Sequence, residues 1–416
     1  MKVEKLSLHN FKSIKDAHIE FNNKSIVLGA NASGKSNLIS SFKFINYILM
    51  YGLEDAVSLM GGMDNLINLN ASENDFLEIG LGLSWDSHNF LFSSSKNPYN
   101  LNPYKAYYSF KLSKKRNNQY KILNEEFELE FQILETLQRK DIASGKVPQC
   151  LGNVTFLFTK STSKISSTIK SNNSTILTKE IENNESIKIF RLIMETTRKD
   201  LMLSQFRLLI SSDELFKIYD FDPKLLKTPS QITSKRNLEE DGSNIGVVLE
   251  RLLRDKNDKQ KLLNLLKICL PNIEGIQIKK NIDKSVSYQM LESFYNTPLY
   301  SQFLSDGTVS MLALVISLYF NEDKNIIILE EPERNLHPQV IRKLVDMLNE
   351  VSENKQIIIT THNSEIVKHS KLNEILCIKR DKLGLSNIEK PENNDRINEF
   401  LNNELGIDDL FLDGIL

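Results

Sequence analysis

Two stretches of this chain that gain meaning only together stand roughly 270 residues apart, and two more follow closely on the second. The first is Gly29-Ala30-Asn31-Ala32-Ser33-Gly34-Lys35-Ser36, and the second is Leu304-Ser305-Asp306-Gly307. Ile326-Ile327-Ile328-Leu329-Glu330-Glu331-Pro332-Glu333 and Ile357-Ile358-Ile359-Thr360-Thr361-His362 complete the set. None of them makes a site alone. A fold that unites them must carry the start of the chain beside its last third. The apolar strands that lead into three of them point to an α/β sheet whose carboxyl ends converge.

The first stretch fits the pattern G-x-x-x-x-G-K-[ST]. Ser25-Ile26-Val27-Leu28 before it reads as a short apolar strand, and the residues from Asn37 onward (Leu38, Ile39, Phe42, Ile45, Ile48, Leu49) read as a mostly apolar helix. Gly29 and Gly34 let the backbone curl until consecutive N–H groups point at an anion, reinforced by the helix N-terminus. Lys35 is then placed to reach the β- and γ-phosphates of a nucleotide, and the Ser36 hydroxyl to ligate Mg²⁺. Gly29, Asn31, Gly34, Lys35, Ser36 and Asn37 are the candidate nucleotide-binding residues, with ATP and Mg²⁺ as the expected ligands.

Ile326 to Leu329 form a strand ending in two carboxylates. Side chains alternate along a strand, so both acids face one site only if the strand stops there, and Pro332 stops it. Glu330 is assigned to the Mg²⁺ shell, and Glu331 to orienting and deprotonating the attacking water. His362 also follows an apolar strand, about thirty residues after the acids, where it can contact the γ-phosphate. Between them Pro338 opens a helix whose Val340/Ile341, Leu344/Val345 and Leu348 share one face. In Leu304-Ser305-Asp306-Gly307-Thr308, Ser305 and Asp306 can cap the almost wholly apolar helix Met311 to Phe320. Alone, that segment reads as a capped core helix; its place just upstream of the acid strand gives it a second meaning.

Together these motifs resemble an ABC-type P-loop ATPase head of the RecF/SMC branch, and most of all the OLD-like ATPases of prokaryotic defence and toxin–antitoxin-like operons. The opening Lys2-Val3-Glu4-Lys5-Leu6-Ser7-Leu8-His9-Asn10-Phe11-Lys12-Ser13-Ile14, the Leu-Ser-Asp-Gly-Thr signature, and Glu330-Glu331-Pro332-Glu333 continuing through Leu336-His337-Pro338 carry the likeness. So do Asp241-Gly242-Ser243-Asn244-Ile245 and the tail Gly406 to Gly414. The likeness covers residues 1–50 and about 215–416 well and the middle poorly. It implies that Ser305 and the Gly307 amide of one subunit touch the γ-phosphate held by another's Lys35, in a two-fold ATP-sandwiched dimer or a higher even-numbered oligomer. It also implies that Lys12 approaches the nucleotide phosphates. Two departures stand out. Glu330 occupies a place where many relatives have Asp, and no Gln occurs from Asn37 to Asn118, where such ATPases place one in the Mg²⁺ shell. Asn70 or Ser72 are the candidate substitutes.

Composition narrows the classes. With 416 residues and 40% hydrophobic content the chain can bury a large core. A net charge of −2 gives no global basic field that demands nucleic acid. Cys150, Cys269 and Cys377 are dispersed, which points to a reducing cytoplasm and not to a disulfide frame or zinc site. No signal peptide or apolar run of membrane-spanning length occurs, so no membrane insertion is expected.

The expected architecture is α/β: a first head lobe at 1–135 with an antiparallel β-arm, an inserted, mostly helical lobe at 136–235, and a second head lobe at 236–416. Strands are expected through 75–135, with Ser113-Lys114-Lys115-Arg116-Asn117-Asn118 as a basic hairpin tip. The Ser/Thr/Lys/Asn-rich stretch 160–176 reads as a flexible loop or disordered connection, and 187–216 and 245–266 read as helical. Sustained heptads are missing, so the long coiled coil of SMC proteins is not expected. About fifty residues follow His362, too few for the Toprim nuclease domain of full OLD proteins. The expected function is therefore an ATPase that controls a separate effector, a nuclease or toxin, in anti-phage defence. A RecF-like ATP-dependent clamp on duplex DNA is the alternative. A transporter ATPase is disfavoured by the Asn-Phe-Lys-Ser opening and by Leu-Ser-Asp-Gly in place of Leu-Ser-Gly-Gly.

Overall fold

The computed structural model describes residues 1–72, 75–85, 99–115, 119–137, 148–161, 165–171, 187–189, 191–192, 201–203, 214–232, 235, 237–321, 326–393 and 407–412. The chain forms two compact units. One comprises Met1–Phe21, Ser40–Leu215 and Arg380–Ile388, and the other Asn22–Ile39, Phe216–Lys379 and Glu389–Leu416.

The first unit is built on a sheet whose long strands are all antiparallel. β1 (Lys2–Phe11) pairs with β2 (Ile14–Glu20) on one side and with β4 (Phe76–Ser84) on the other. The sheet continues through β5 (Tyr99–Lys114), β6 (Tyr120–Glu135), β7 (Cys150–Ser161) and β8 (Ile165–Ser171). Period-two alternation explains the pairing. Phe127, Leu129, Phe131 and Ile133 of β6 are fully buried while Glu126, Glu128 and Glu130 between them stay more open. Phe127 stacks on Phe158 and Phe131 meets Phe156 edge-on, so aromatic pairs lock β6 to β7.

The strands expected across 75–135 are present. The stretch 160–176 differs from expectation: Ile165–Ser171 is a strand, paired to β7 from Val154↔Ser171 to Lys160↔Ile165. Its polar composition suits an edge position, where burial is slight and charged or hydroxyl side chains face solvent. The lobe expected at 136–235 to be mostly helical contributes β7, β8 and β9 (Lys217–Tyr219) among its described residues, with helix at 187–189, 191–192 and Pro223–Lys227. Within the helical expectation over 187–216, residues 201–203 and 214–216 are described and are almost wholly non-helical. The other residues of that stretch, the tip residues 116–118 and the tail residues Gly406, Asp413 and Gly414 lie outside the described residues.

The second unit carries a parallel sheet in the order β15 (Ile375–Arg380), β3 (Lys24–Leu28), β14 (Gln356–Thr361), β13 (Ile326–Glu330), β9. Its central strands β13 and β14 carry continuous aliphatic runs, as a sheet covered on both faces requires. Ile326, Ile327, Ile328 and Leu329 are each at most 1% exposed. Two helices pack on this sheet in one core. α7 (Asp306–Tyr319) is buried from Val309 through Leu318, and α8 (Pro338–Ser352) buries Ile341, Leu344, Val345, Met347, Leu348 and Val351. Pro338 opens α8 as expected, and His337 caps it through Nδ1, which accepts from Gln339 N at 3.3 Å. The antiparallel strands β10 (Ile273–Lys280), β11 (Val286–Glu292) and β12 (Leu299–Tyr300), with α5 (Ile245–Leu252) and α6 (Lys256–Cys269), complete the unit. Strand register sets up the site. Leu28 pairs with Thr361, Glu330 with Thr360, and Leu329 with Tyr219, so four strands end at one edge.

Candidate functional site

The phosphate loop leaves β3 at that edge. Gly29 N donates to Thr361 O at 3.3 Å, and Ser33 N to Ala30 O at 3.2 Å, which closes the loop into a tight turn. Ala32 and Gly34 adopt φ of 63° and 117°, the left-handed region that curls the backbone before helix α1 (Lys35–Tyr51) begins. A Cβ on Gly29 would lie 2.5 Å from both Ile378 O and Ser33 Oγ, so the first glycine is required by close packing. Lys35 is 7% exposed and donates to the loop carbonyls of Gly29 at 2.7 Å and Ala30 at 3.1 Å. Burial pushes its ammonium pKa down, and the carboxylates of Glu331, Glu333 and Glu330 restore part of the loss.

The acid strand ends as its sequence requires, with one addition. β13 stops at Glu330, and Glu331 turns to φ 43°, a conformation costly for a side chain of its size and found where surrounding structure enforces it. That turn lets two consecutive acids serve one site. Ser36 Oγ donates to Glu330 Oε1 at 2.5 Å. Glu331 Oε1 lies 3.0 Å from His362 Nδ1 and 3.7 Å from Lys35 Nζ, while its Oε2 lies 3.3 Å from Arg334 Nη2. Burial pushes the Glu331 carboxyl up, but the hydrogen bond from His362 and the nearby His362, Lys35 and Arg334 outweigh it and hold the group below the ordinary carboxylate range.

Lys35, Ser36, Glu330, Glu331 and His362 are thus brought together. Among the described residues no cluster of three or more His, Cys, Asp or Glu could cage a metal. A single hydroxyl–carboxylate pair of hard oxygens fits Mg²⁺, which takes one or two protein ligands and completes its shell with phosphate oxygens and water. Ser36 and Glu330 are the residues that would hold it.

The signature belongs to the same unit but touches a different part of the site. Ser305 Oγ accepts from Thr308 N at 3.1 Å and caps α7, and Asp306 pairs with Lys227. A Cβ on Gly307 would lie 2.9 Å from Asn335 O, so this glycine abuts the loop that follows the acids. Asn335 itself sits at φ 66°.

Lys12 belongs to the other unit. It sits at φ 49°, with its N donating to Leu66 O at 2.8 Å and its carbonyl accepting from Asn68 Nδ2 at 2.7 Å. Burial and then Lys43 push its ammonium pKa down. Asn70 and Ser72 are also in that unit, where their amides donate to Asn68 Oδ1 and Asp75 Oδ2.

Three contributors escaped sequence reading. Glu333 is 4% exposed, its Oε1 accepts from Thr361 Oγ1 at 2.5 Å, and its Oε2 is buried without a hydrogen-bond partner. Burial pushes its carboxyl up, with Thr361 opposing and Glu331 adding to the rise. Thr361 Oγ1 also accepts from Asn363 N at 2.9 Å, so one hydroxyl ties the acid loop to the residues around His362. Arg334 spans from Glu331 to Asp220 at the end of β9. The last letter of Glu-Glu-Pro-Glu is the one signal in sequence that could have found Glu333; nothing there joined Arg334 to Asp220.

The chain is similar to several known proteins. It is 26% identical over 109 residues to the Septu protein PtuA of Bacillus thuringiensis, a stretch covering 23% of this chain and 28% of that protein. It is 28% identical over 133 residues to an uncharacterized protein of Methanocaldococcus jannaschii, covering 29% of this chain and 34% of the other. The chain therefore matches only about a third of these relatives' own length. Among solved structures, the Smc head bound to the C-winged helix domain of ScpA superposes with a TM-score of 0.53 at 12% identity, over 94% of this chain and 98% of that one. The fold is that of an SMC/ABC ATPase head. No helix among the described residues is long and apolar enough to cross a membrane. The family model "AAA domain, putative AbiEii toxin, Type IV TA system" matches residues 25–368, most of the chain, and the protein belongs to that family.

Proposed function

We propose that the protein binds ATP with Mg²⁺ and hydrolyses it, using Lys35 to hold the phosphates, Ser36 and Glu330 to hold the metal, and Glu331 as the base for the attacking water. The observation that carries this reading is the convergence of Lys35, the Ser36–Glu330 pair and the Glu331–His362 pair at one carboxyl edge of a parallel sheet. When bound, Mg²⁺ supplies charge neutralisation at the phosphate oxygens. Lys35 must exchange the carbonyls of Gly29 and Ala30 for phosphate oxygens, and in doing so it frees Glu331 Oε1 of one cation. Glu331, ionised and aimed by its left-handed backbone, then accepts a proton from water at that oxygen. His362, half exposed beside it, meets the same oxygen before nucleotide binds and is placed to turn to a terminal phosphate.

The finer reading is a protein whose two copies close on ATP, each lending Ser305 and Gly307 to the other's Lys35, and whose nucleotide state governs a separate effector. Lys12 joins the phosphates in that closed form. The exposed Ser305 at the start of a rigid, buried helix supports the first part. The toxin in the family's description supports the second, as does a head of the same fold crystallised with a domain of another protein, ScpA.

Glu331→Gln tests the chemistry. ATP binding should survive and turnover should fall on the order of a hundredfold or more, because the water loses its base while Lys35 and the metal pair remain. Binding by a fluorescent ATP analogue and phosphate release are the two readouts. Hydrolysis at the wild-type rate removes Glu331 as the base and leaves Glu330 as the candidate.

A further inference from the structure

We infer that Arg334 is a positioning residue of this site: its guanidinium, anchored on Asp220, turns Glu331 so that one particular carboxylate oxygen faces the phosphate loop. The inference rests on the reading of Glu331 as the base.

The two oxygens of Glu331 are sorted by what surrounds them. Oε1 looks toward His362 Nδ1 and Lys35 Nζ, at 3.0 and 3.7 Å, and Oε2 is taken by Arg334 Nη2 at 3.3 Å. The other arm of the same fork, Nη1, lies 3.3 Å from Asp220 Oδ1. Sheet register makes this bridge possible. Tyr219 pairs with Leu329, so Asp220 and the acids leave two neighbouring parallel strands side by side. The backbone supports both ends: Arg334 N donates to Glu331 O at 3.0 Å, and Asp220 N to Glu240 O at 2.9 Å.

Stability does not account for the bridge. Arg334 and Asp220 are 45% and 40% exposed at their side chains, and ion pairs in such positions contribute little to folding. Direction accounts for it better. A guanidinium is a planar fork that binds two carboxylates in fixed geometry, which the point charge of a lysine cannot do. A glutamate base also needs such a constraint, because its reacting oxygen must lie within hydrogen-bond reach of the water. In the proposed cycle Lys35 and His362 turn to phosphates, and Arg334 is the cation that stays on Glu331.

Steady-state ATPase kinetics test this. Arg334→Ala should lower kcat by about tenfold, as misplacement of a reacting group does, with KM for ATP changed by less than about twofold and the melting temperature unchanged. Arg334→Lys should recover only part of the loss, and Asp220→Ala should lower kcat by a smaller factor. The double variant Arg334→Ala/Asp220→Ala should be no slower than Arg334→Ala alone, since both changes remove one bridge. A wild-type or faster kcat in Arg334→Ala overturns the inference. So does a loss of kcat that comes with an equal rise in KM and a lower melting temperature, which is what a merely structural residue would produce. Glu331→Gln measured alongside separates the two levels. If it hydrolyses normally, the reading of the base fails and this inference with it; if it is inert while Arg334→Ala is fully active, only the positioning role falls.

Discussion

At the residue scale, the acid loop places three glutamates within four positions in three different environments. Glu330 meets a hydroxyl, Glu331 meets cations, and Glu333 is buried against Thr361. Burial of Glu333 has a consequence for stability. Its folded carboxyl is pushed up from the ordinary range, so the folded protein holds this proton more tightly than the unfolded chain does. Its contribution to stability is therefore present at low pH and fades as pH rises from the usual carboxylate range through the raised value. Glu333→Gln keeps an oxygen for Thr361 and cannot ionise. Urea unfolding across pH should show wild type losing stability relative to Glu333→Gln as pH increases through that window; parallel curves would mean that folding leaves this carboxyl's hold on its proton unchanged. Much of the candidate site was legible at this scale, because Lys35 and Ser36 sit in a local pattern that names its own chemistry, and Glu330, Glu331 and His362 gain theirs from their order after it. The bridge from Arg334 to Asp220 was not legible, since 114 residues separate its ends and only the parallel pairing of β9 with β13 unites them. The burial of Glu333 was hidden for the same reason: Thr361 reaches it through strand β14, not through sequence.

At the scale of elements, α7 and the loop before it carry the part of the site that a single copy does not use on its own Lys35 in the proposed scheme. Ser305 is exposed, caps a helix buried from Val309 to Leu318, and is therefore held rigidly. Ser305→Arg should block closure while leaving ATP binding by the same chain's Lys35 intact. Mixed with Lys35→Ala chains, it forms pairs with one whole composite site, made of the good phosphate loop of one and the good signature of the other. Partial recovery of ATPase activity in the mixture is the expected outcome. Ser305→Ala serves as the control for the cap alone, whose loss costs about 1 kcal/mol of stability without filling the interface. No recovery, with both variants folded and Lys35→Ala alone inactive, counts against one composite site firing by itself. Sequence periodicity anticipated elements with uneven success, and the reason is burial. β6 and α8 bury one regular face, so their period shows in the residue order. Strand β8 lies at a sheet edge, exposes every second residue among Ser166, Thr168 and Lys170, and reads as a loop by composition.

At the scale of the whole molecule, the question is what ATP turnover would accomplish. Nucleotide can change the binding of a partner only as far as the open and closed states differ in affinity for it. Partner-specific surfaces belong on grafted segments more often than on a shared scaffold, which directs attention to the region between about 136 and 235 and to the outer face of the head. In that region β7 and β8 extend the first unit's sheet, and the fully buried Glu125 of β6 accepts from Tyr108 OH at 2.9 Å and Met202 N at 2.6 Å beside Lys160, which ties residue 202 to the sheet by a polar network. Such a network is costly to break and fixes residue 202 on the sheet. A pull-down from native cells should compare wild type with Glu331→Gln, expected to accumulate the ATP-bound form, and Lys35→Ala, expected to lack bound nucleotide. A protein whose recovery differs between the two variants is the expected result, with wild type between them. If all three retain the same proteins, or none, control of an effector is wrong. Salt-sensitive retention of duplex DNA by Glu331→Gln alone would then favour an ATP-dependent clamp on DNA.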